Sequence, residues 1–247
     1  MTKVNQAFIF AAGRGQRMQH ITDLIPKSLI KIKNKALIDY IIEKLDQISA
    51  IKKIIINGFY FADQIEAHIQ KLNNPKIIFS RETKKVETGG GLLFARDKID
   101  FNRPLLLINS DVLWREENSF CDIKNICQAW EDENQNEAVC DLLLGLKKTE
   151  EYLGYEGNIH GGGDFYFLDK KLFRIPDQPM THVFVGLQII NPKILEKVPK
   201  ECFSMSYFYK SGVGEKGRLH RIKGFELQGR YFHVGTPEAI MIAEEKF

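Results

Sequence analysis

The sequence predicts an α/β fold, a mostly parallel sheet covered by helices on both faces. Short, unbroken apolar runs recur through the first half of the chain, as in strands buried on both sides. Segments with apolar residues at helical spacing lie between them. Strand and helix alternate, so successive strands need connections that pack back onto the sheet.

The first strand is predicted at residues 7–12, an apolar run from Ala7 to Ala12 that passes straight into Gly13-Arg14-Gly15. A helix is expected over 37–48, where Leu37, Ile38, Ile41, Ile42, Leu45 and Ile48 share a face. Strand 53–57 follows, then helix 62–72 with Ile65, Ile69 and Leu72 on one side, then strand 76–80. A third helix starts at 91–98, strand 105–109 comes next, and helix 123–132 precedes strand 139–146. Beyond about residue 150 the pattern loosens. A glycine-rich connection at 157–163 leads to short strands at 165–168 and 183–190. A loop-rich region then reaches a strand at 219–222 and a last helix at 237–246, with Pro237 in a favoured first-turn position. No repeat, low-complexity linker or sharp boundary interrupts the chain, so 1–247 reads as a single domain with halves 1–150 and 151–247.

A chain of 247 residues can bury a full core. Its formal charge of +3, carried by scattered basic residues, gives no reason to expect nucleic acid or a membrane as partner. The run at 7–12 is too short for the core of a signal peptide, and no run approaches transmembrane length, so a cytoplasmic location is expected. Cys121, Cys127, Cys140 and Cys202 form no C-x-x-C pair and read as reduced, mostly buried thiols.

Residues 11–28 carry the chemistry. Gly13 and Gly15 let the backbone turn tightly after the first strand and approach a ligand. Successive amides in such a turn cradle an anion. Arg17 adds a fork of donors and Lys27 a point charge, which together suit a polyphosphate. Two other glycine motifs do not fit. The dinucleotide fingerprint needs glycine where Met18 stands and an acid near Ile56-Asn57-Gly58, and a Walker A loop needs Lys-Ser/Thr directly after its last glycine. Asp111 closes the apolar run 105–109 and therefore sits at the carboxyl edge of the sheet, where open α/β folds bind ligands. His20, His68, His160 and His220 have no partner visible in the sequence, and Tyr207-Phe208-Tyr209 reads as core or contact surface.

Four ordered segments carry a family resemblance: Ala11-Ala12-Gly13-x-Gly15-x-Arg17 with Pro26-Lys27-Ser28-Leu29, Glu87-Thr88-Gly89-Gly90-Gly91, Asn109-Ser110-Asp111, and Val234-Gly235-Thr236-Pro237-Glu238. Together they resemble the signature of sugar-1-phosphate nucleotidyltransferases over nearly the whole chain. The nearest look is to compact uridylyltransferases acting on N-acetylmuramate 1-phosphate in peptidoglycan recycling, followed by mannose-1-phosphate guanylyltransferases. The resemblance implies a Rossmann-like three-layer sandwich with a mostly parallel mixed sheet, of the nucleotide-diphospho-sugar transferase type. It implies a nucleotide-binding half at 1–150 and a sugar-phosphate half at 151–247. The substrates implied are a nucleoside triphosphate and a sugar 1-phosphate, in a monomer or homodimer. At this length, no appended β-helix of hexapeptide repeats is expected.

By the same resemblance, Ala11, Ala12 and Gly13 lie near base and ribose, Gly15 and Arg17 embrace the triphosphate, and Lys27 neutralises phosphate charge. Thr88, Gly89 and Gly90 are expected at the base, with Glu82 a weaker candidate for that role. Asn109, Gly154, Glu156, Thr181 and Gly186 fall where relatives contact the sugar phosphate. Asp111 is the expected Mg²⁺ ligand, since Mg²⁺ takes a carboxylate or two plus phosphate oxygens. Many relatives carry a second Asp where this chain has His233. Three readings stand: Asp111 and the phosphates hold Mg²⁺ alone, His233 ligates Mn²⁺ or a similar ion, or His233 bonds a phosphate. The first and third are favoured, because imidazole is a poor ligand for a hard ion. A reading from another class, suggested by His233, is a nucleotide-binding regulatory protein that has lost catalysis.

Overall fold

Chain order already fixes where a ligand can sit. In the computed structural model, residues 3–117, 120–135, 140–156, 162–173, 180–198, 201–212 and 221–247 are described. Strand β1 (Gln6–Phe10) leads through the hairpin β2 (Lys31–Ile32) and β3 (Lys35–Ala36) into helix α1 (Leu37–Asp46). Then come β4 (Lys53–Gly58), α2 (Ala62–Lys71), β5 (Ile77–Arg81), α3 (Glu87–Phe94), β6 (Leu105–Asn109) and β7 (Val112–Arg115). Helix α4 (Asp122–Glu133), β8 (Leu142–Lys148), β9 (Tyr152–Leu153), β10 (Tyr166–Leu168) and β11 (Lys171–Phe173) follow. The last elements are β12 (His182–Ile190), α5 (Ser206–Gly212), β13 (Ile222–Glu226), β14 (Arg230–His233) and α6 (Pro237–Lys246).

The main sheet has seven strands in the order β13-β8-β12-β6-β1-β4-β5. Within it β12 runs antiparallel to both neighbours and the other pairs are parallel, so the sheet is mixed but mostly parallel. One face buries Ile9, Ile54 and Ile108 against Ile38 and Ile41 of α1, Ile65 of α2 and Ile126 of α4. The other buries Phe8, Ile55 and Leu107 against Leu92 of α3 and Phe208 of α5. That makes three layers. The chain builds β1, β4 and β5 outward in one direction, then returns to place β6 on the other side of β1. The order therefore reverses at β1 and β6, which opens a crevice at their carboxyl ends.

Several element boundaries depart from the periodicity. Strand β1 stops at Phe10 rather than at 12, because the Ala11 N–H leaves the ladder for the Asn57 side chain. Helix α3 starts at Glu87, ahead of the expected 91, since its glycine run disguised a helix that tertiary packing holds. The strand expected at 219–222 is β13, Ile222–Glu226, whose Gly224 gives way to Phe167 and Leu146; a Cβ there would lie 2.6 Å from Leu146 Cδ1. Residues 219 and 220 lie outside the described residues, as do His160, most of the 157–163 connection and Val139 at the start of the expected 139–146 strand. The spacing gave no sign of a second sheet, β7-β14-β9, which lies past the end of β6. Among the described residues no helix is long and apolar enough to cross a membrane.

Candidate active site

The loop after β1 is held by bonds to its own carbonyls and to β4. Gly15 takes φ 70°, and a Cβ there would lie 3.1 Å from Lys27 Cδ, so both conformation and space call for glycine. The Met18 N–H and the Thr22 hydroxyl both donate to Gly15 O, at 2.8 and 3.1 Å. Gly13 faces open space. Beneath the loop, Asn57 Oδ1 accepts the Ala11 N–H at 2.7 Å, and Asn57 Nδ2 donates to Glu82 Oε1 at 2.7 Å. A cleft of about 250 Å³ opens here, lined among others by Ala12, Gly13, Gly15, Asn57, Glu82 and Thr88. Phe59 and Tyr60 form an aromatic wall, their rings 4.9 Å apart and edge-on. Burial pushes the Glu82 carboxyl above its ordinary range, and the Asn57 bond only partly offsets that.

A charged cluster sits at the ends of β6 and β14. Lys27, in a 3₁₀ turn at Lys27–Leu29, donates to Asp111 Oδ2 at 2.7 Å, and His233 Nε2 lies 3.6 Å from the same oxygen. The Val234 N–H donates to Asp111 O at 2.8 Å, which ties the two segments together. Burial alone would raise the Asp111 carboxyl, but Lys27 and His233 outweigh it and hold that carboxyl well below the usual range. The His233 ring leans on Gly235, where a Cβ would lie 2.3 Å from its Cε1, and Tyr152 and Tyr155 flank it at 5.8 and 6.2 Å.

Asp111 Oδ1 and His233 Nδ1 are buried with no hydrogen-bond partner among the described residues. Among the described residues no three of His, Cys, Asp and Glu gather to cage a cation. This donor set fits a hard ion that takes one carboxylate oxygen and fills its remaining positions with phosphate oxygens and water, as Mg²⁺ does. It does not fit an all-protein cage.

The other residues singled out in the sequence fall in three places. Arg17 pairs with Glu156, Nη1 to Oε2 at 3.3 Å, both side chains about half exposed. Asn109 packs under Gly186, whose φ is 89° and whose Cβ would lie 2.7 Å from Asn109 Nδ2. Gly154, at φ 73°, backs onto His233 O, 2.6 Å from where its Cβ would stand. Thr181 lies apart from the cleft, with His182 and Phe167 around a separate surface hollow of about 740 Å³. A wider hollow of about 820 Å³ around Lys147 also lies away from the glycine loop.

Of the three residues expected at the base, only Thr88 lines the cleft. The Gly90 N–H is committed to Phe203 O at 3.0 Å, and the Thr88 hydroxyl accepts the Met205 N–H at 2.9 Å. A Cβ on Gly89 would lie 2.3 Å from the Phe203 ring, and one on Gly90 would lie 2.5 Å from Glu201 O. The glycine run thus gives room to the 201–205 segment, a use that competes with the expected reading of a heterocycle by backbone amides. Phe59 and Tyr60 belong to no motif in the sequence, and Asn57 enters there only as a place where a dinucleotide site would need an acid. Their position at and just past the carboxyl end of β4, next to β1, was the signal available.

The chain matches the family described as nucleotidyl transferase over residues 6–184. It is 32% identical over 247 residues to the N-acetylmuramate alpha-1-phosphate uridylyltransferase of Caulobacter vibrioides, covering 97% of this chain and 96% of that protein. Identity to the mannose-1-phosphate guanyltransferase of Schizosaccharomyces pombe is 25%, over 94% of this chain and 61% of that one. Its fold is that of a UDP-glucose pyrophosphorylase complexed with UDP-glucose, at a TM-score of 0.74, 17% identity and coverage of 98% and 97%. HddC from Yersinia pseudotuberculosis matches it at a TM-score of 0.73 and 23% identity, over 99% of this chain and all of that one.

Proposed function

The chain belongs to the nucleotidyl transferase family and is a sugar-1-phosphate nucleotidyltransferase, and we propose that it transfers uridylyl from UTP to N-acetylmuramate 1-phosphate. The observation that carries the reading is a convergence of segments at one edge of the sheet, where Gly15 packs against Lys27 and Lys27 pairs with Asp111. The glycine loop after β1, the paired Lys27 and Asp111, and the β14 end with His233 all stand at the carboxyl ends of β1 and β6. Support for this substrate pair comes from the uridylyltransferase relative.

In this reading an oxygen of the sugar phosphate attacks the α-phosphorus of the triphosphate. A new P–O bond forms, the bond to the bridging α–β oxygen breaks, and pyrophosphate leaves with that electron pair. Both reactants are strongly anionic, so positioning and charge neutralisation carry most of the catalysis. Ala12, Gly13 and Gly15 line the nucleotide's path with backbone that lets it come close. Arg17 holds the departing pyrophosphate, and the Lys27 ammonium offsets charge on the attacked phosphate. Mg²⁺, held through Asp111 and the phosphate oxygens, would add further neutralisation. On the sugar side, Glu156 stands opposite Arg17, and Asn109, Gly154 and Gly186 shape the floor.

Guanylyl transfer to mannose 1-phosphate is the second reading, supported by the fungal guanyltransferase. Pyrophosphate release from the four nucleoside triphosphates, each paired with N-acetylmuramate, mannose and glucose 1-phosphates, separates the two. Release with UTP and N-acetylmuramate 1-phosphate above every other pairing is expected. Nucleotide binding without release in any pairing would point instead to a regulatory protein.

A further inference from the structure

Asn57 is 2% exposed and commits both ends of its side chain. The Ala11 backbone N–H can only donate, so the Asn57 oxygen must face it. The amide nitrogen is then forced toward Glu82 Oε1, which must accept. Gly91 of α3 closes over this bridge, for a Cβ there would lie 2.7 Å from Glu82 Oε1 and 2.9 Å from Asn57 Nδ2. Glu82 Oε2 bonds to no described group, and Glu82 lines the cleft that Ala12 and Gly13 also line. A chain of fixed donors and acceptors therefore runs from the glycine loop to a carboxylate oxygen facing the cleft.

We propose that Asn57 is a positioning residue for nucleotide recognition, locking the entry to the glycine loop to Glu82 and turning that carboxylate so that Oε2 meets the base as an acceptor. This deepens the nucleotide reading of the cleft and depends on it. The bridge does two things at once. It fixes where the loop leaves β1, and it fixes the polarity of the one polar side chain buried at the cleft floor beside it. An acceptor in that place selects a base edge that offers an N–H, and a donor there would favour a ring nitrogen or carbonyl instead.

The polarity of the bridge can be reversed by substitution. Asn57→Asp keeps an acceptor for Ala11 but loses the donor to Glu82 and sets two carboxylates together. Glu82→Gln keeps the bridge, accepting from Asn57 through its carbonyl, and so turns its NH₂ to the cleft. In the double variant the carboxylate introduced at position 57 accepts from both the Ala11 N–H and the side-chain NH₂ introduced at position 82. The amide oxygen at position 82 then again faces the base.

Calorimetric titration of UTP and GTP, without sugar phosphate, reads the effect directly, and steady-state kinetics read it again. We expect each single variant to bind the better of the two nucleotides about tenfold more weakly, the scale of one lost hydrogen bond to a charged group. The loss should fall on KM for the triphosphate rather than on kcat, and the double variant should return to within about threefold of the parent. A Glu82→Gln variant that binds like the parent overturns the proposal, and so does a folded double variant no better than the weaker single. Glu82→Gln is isosteric and keeps the bridge, so its outcome stands even if Asn57→Asp unfolds. If the parent protein binds neither nucleotide, the nucleotide reading itself fails, and the two failures are told apart by that titration.

Discussion

Lys27 Nζ donates to Asp111 Oδ2 at 2.7 Å, joining the 3₁₀ turn after the glycine loop to the turn that closes β6. The two residues are far apart in sequence and mostly buried, so the pair marks the point where two loops of the sheet edge converge. Removing Lys27 leaves Asp111 with only His233 beside it, and removing Asp111 takes away the carboxylate that Lys27 pairs with.

Lys27→Met should lower kcat by about 10²–10³-fold, the range for loss of one preorganised group that stabilises charge. The nucleotide dissociation constant should change much less. Rapid-quench measurement of the chemical step checks this, and a change confined to KM would remove Lys27 from the chemistry. Asp111→Asn should abolish turnover while the thermal transition stays cooperative.

His233→Asp should keep or raise Mg²⁺-dependent turnover and shift its midpoint to lower Mg²⁺ concentration, since a second carboxylate suits a hard ion better than imidazole. Rate measured against Mg²⁺ and against Mn²⁺ gives the answer. A collapse with both ions would show that the imidazole has a task of its own.

Gly89→Ala should destabilise the fold by about 1–3 kcal/mol, the usual cost of an extra methyl in a packed place. Its Cβ would stand 2.3 Å from Phe203 Cε2. Urea unfolding should show the loss, and adding Phe203→Leu should restore part of it.

Burial pushes the Cys127 and Cys140 thiols up to about 12, so both stay protonated at pH 8. Ellman's reagent at that pH should label the exposed Cys202 quickly and the half-buried Cys127 more slowly, with the buried Cys140 reacting only after unfolding. Rapid labelling of Cys140 in the folded protein would contradict its burial.

The sheet was legible because buried parallel strands leave continuous apolar runs. Gly13, Gly15 and Asp111 were legible because each follows such a run directly. The second sheet was not. It pairs Tyr231 with Tyr152, Phe232 with Leu153 and His233 with Val112, contacts between short segments far apart in the chain that leave no local period. The surroundings of residues 88–90 were hidden for a similar reason, since the segment that fills the space above those glycines comes more than a hundred residues later. Thr181 was drawn toward the sugar side by its place in the order of motifs, and the start of β12 sets it beside a different hollow.

The salt link between Arg17 and Glu156, set beside that of Lys27 and Asp111, means that neither cation waits bare for a polyanion. In the proposed reading, loading the triphosphate is then an exchange of counter-ions. Affinity measures how far phosphate outcompetes a resident carboxylate, and a stray anion that cannot win both trades gains little hold.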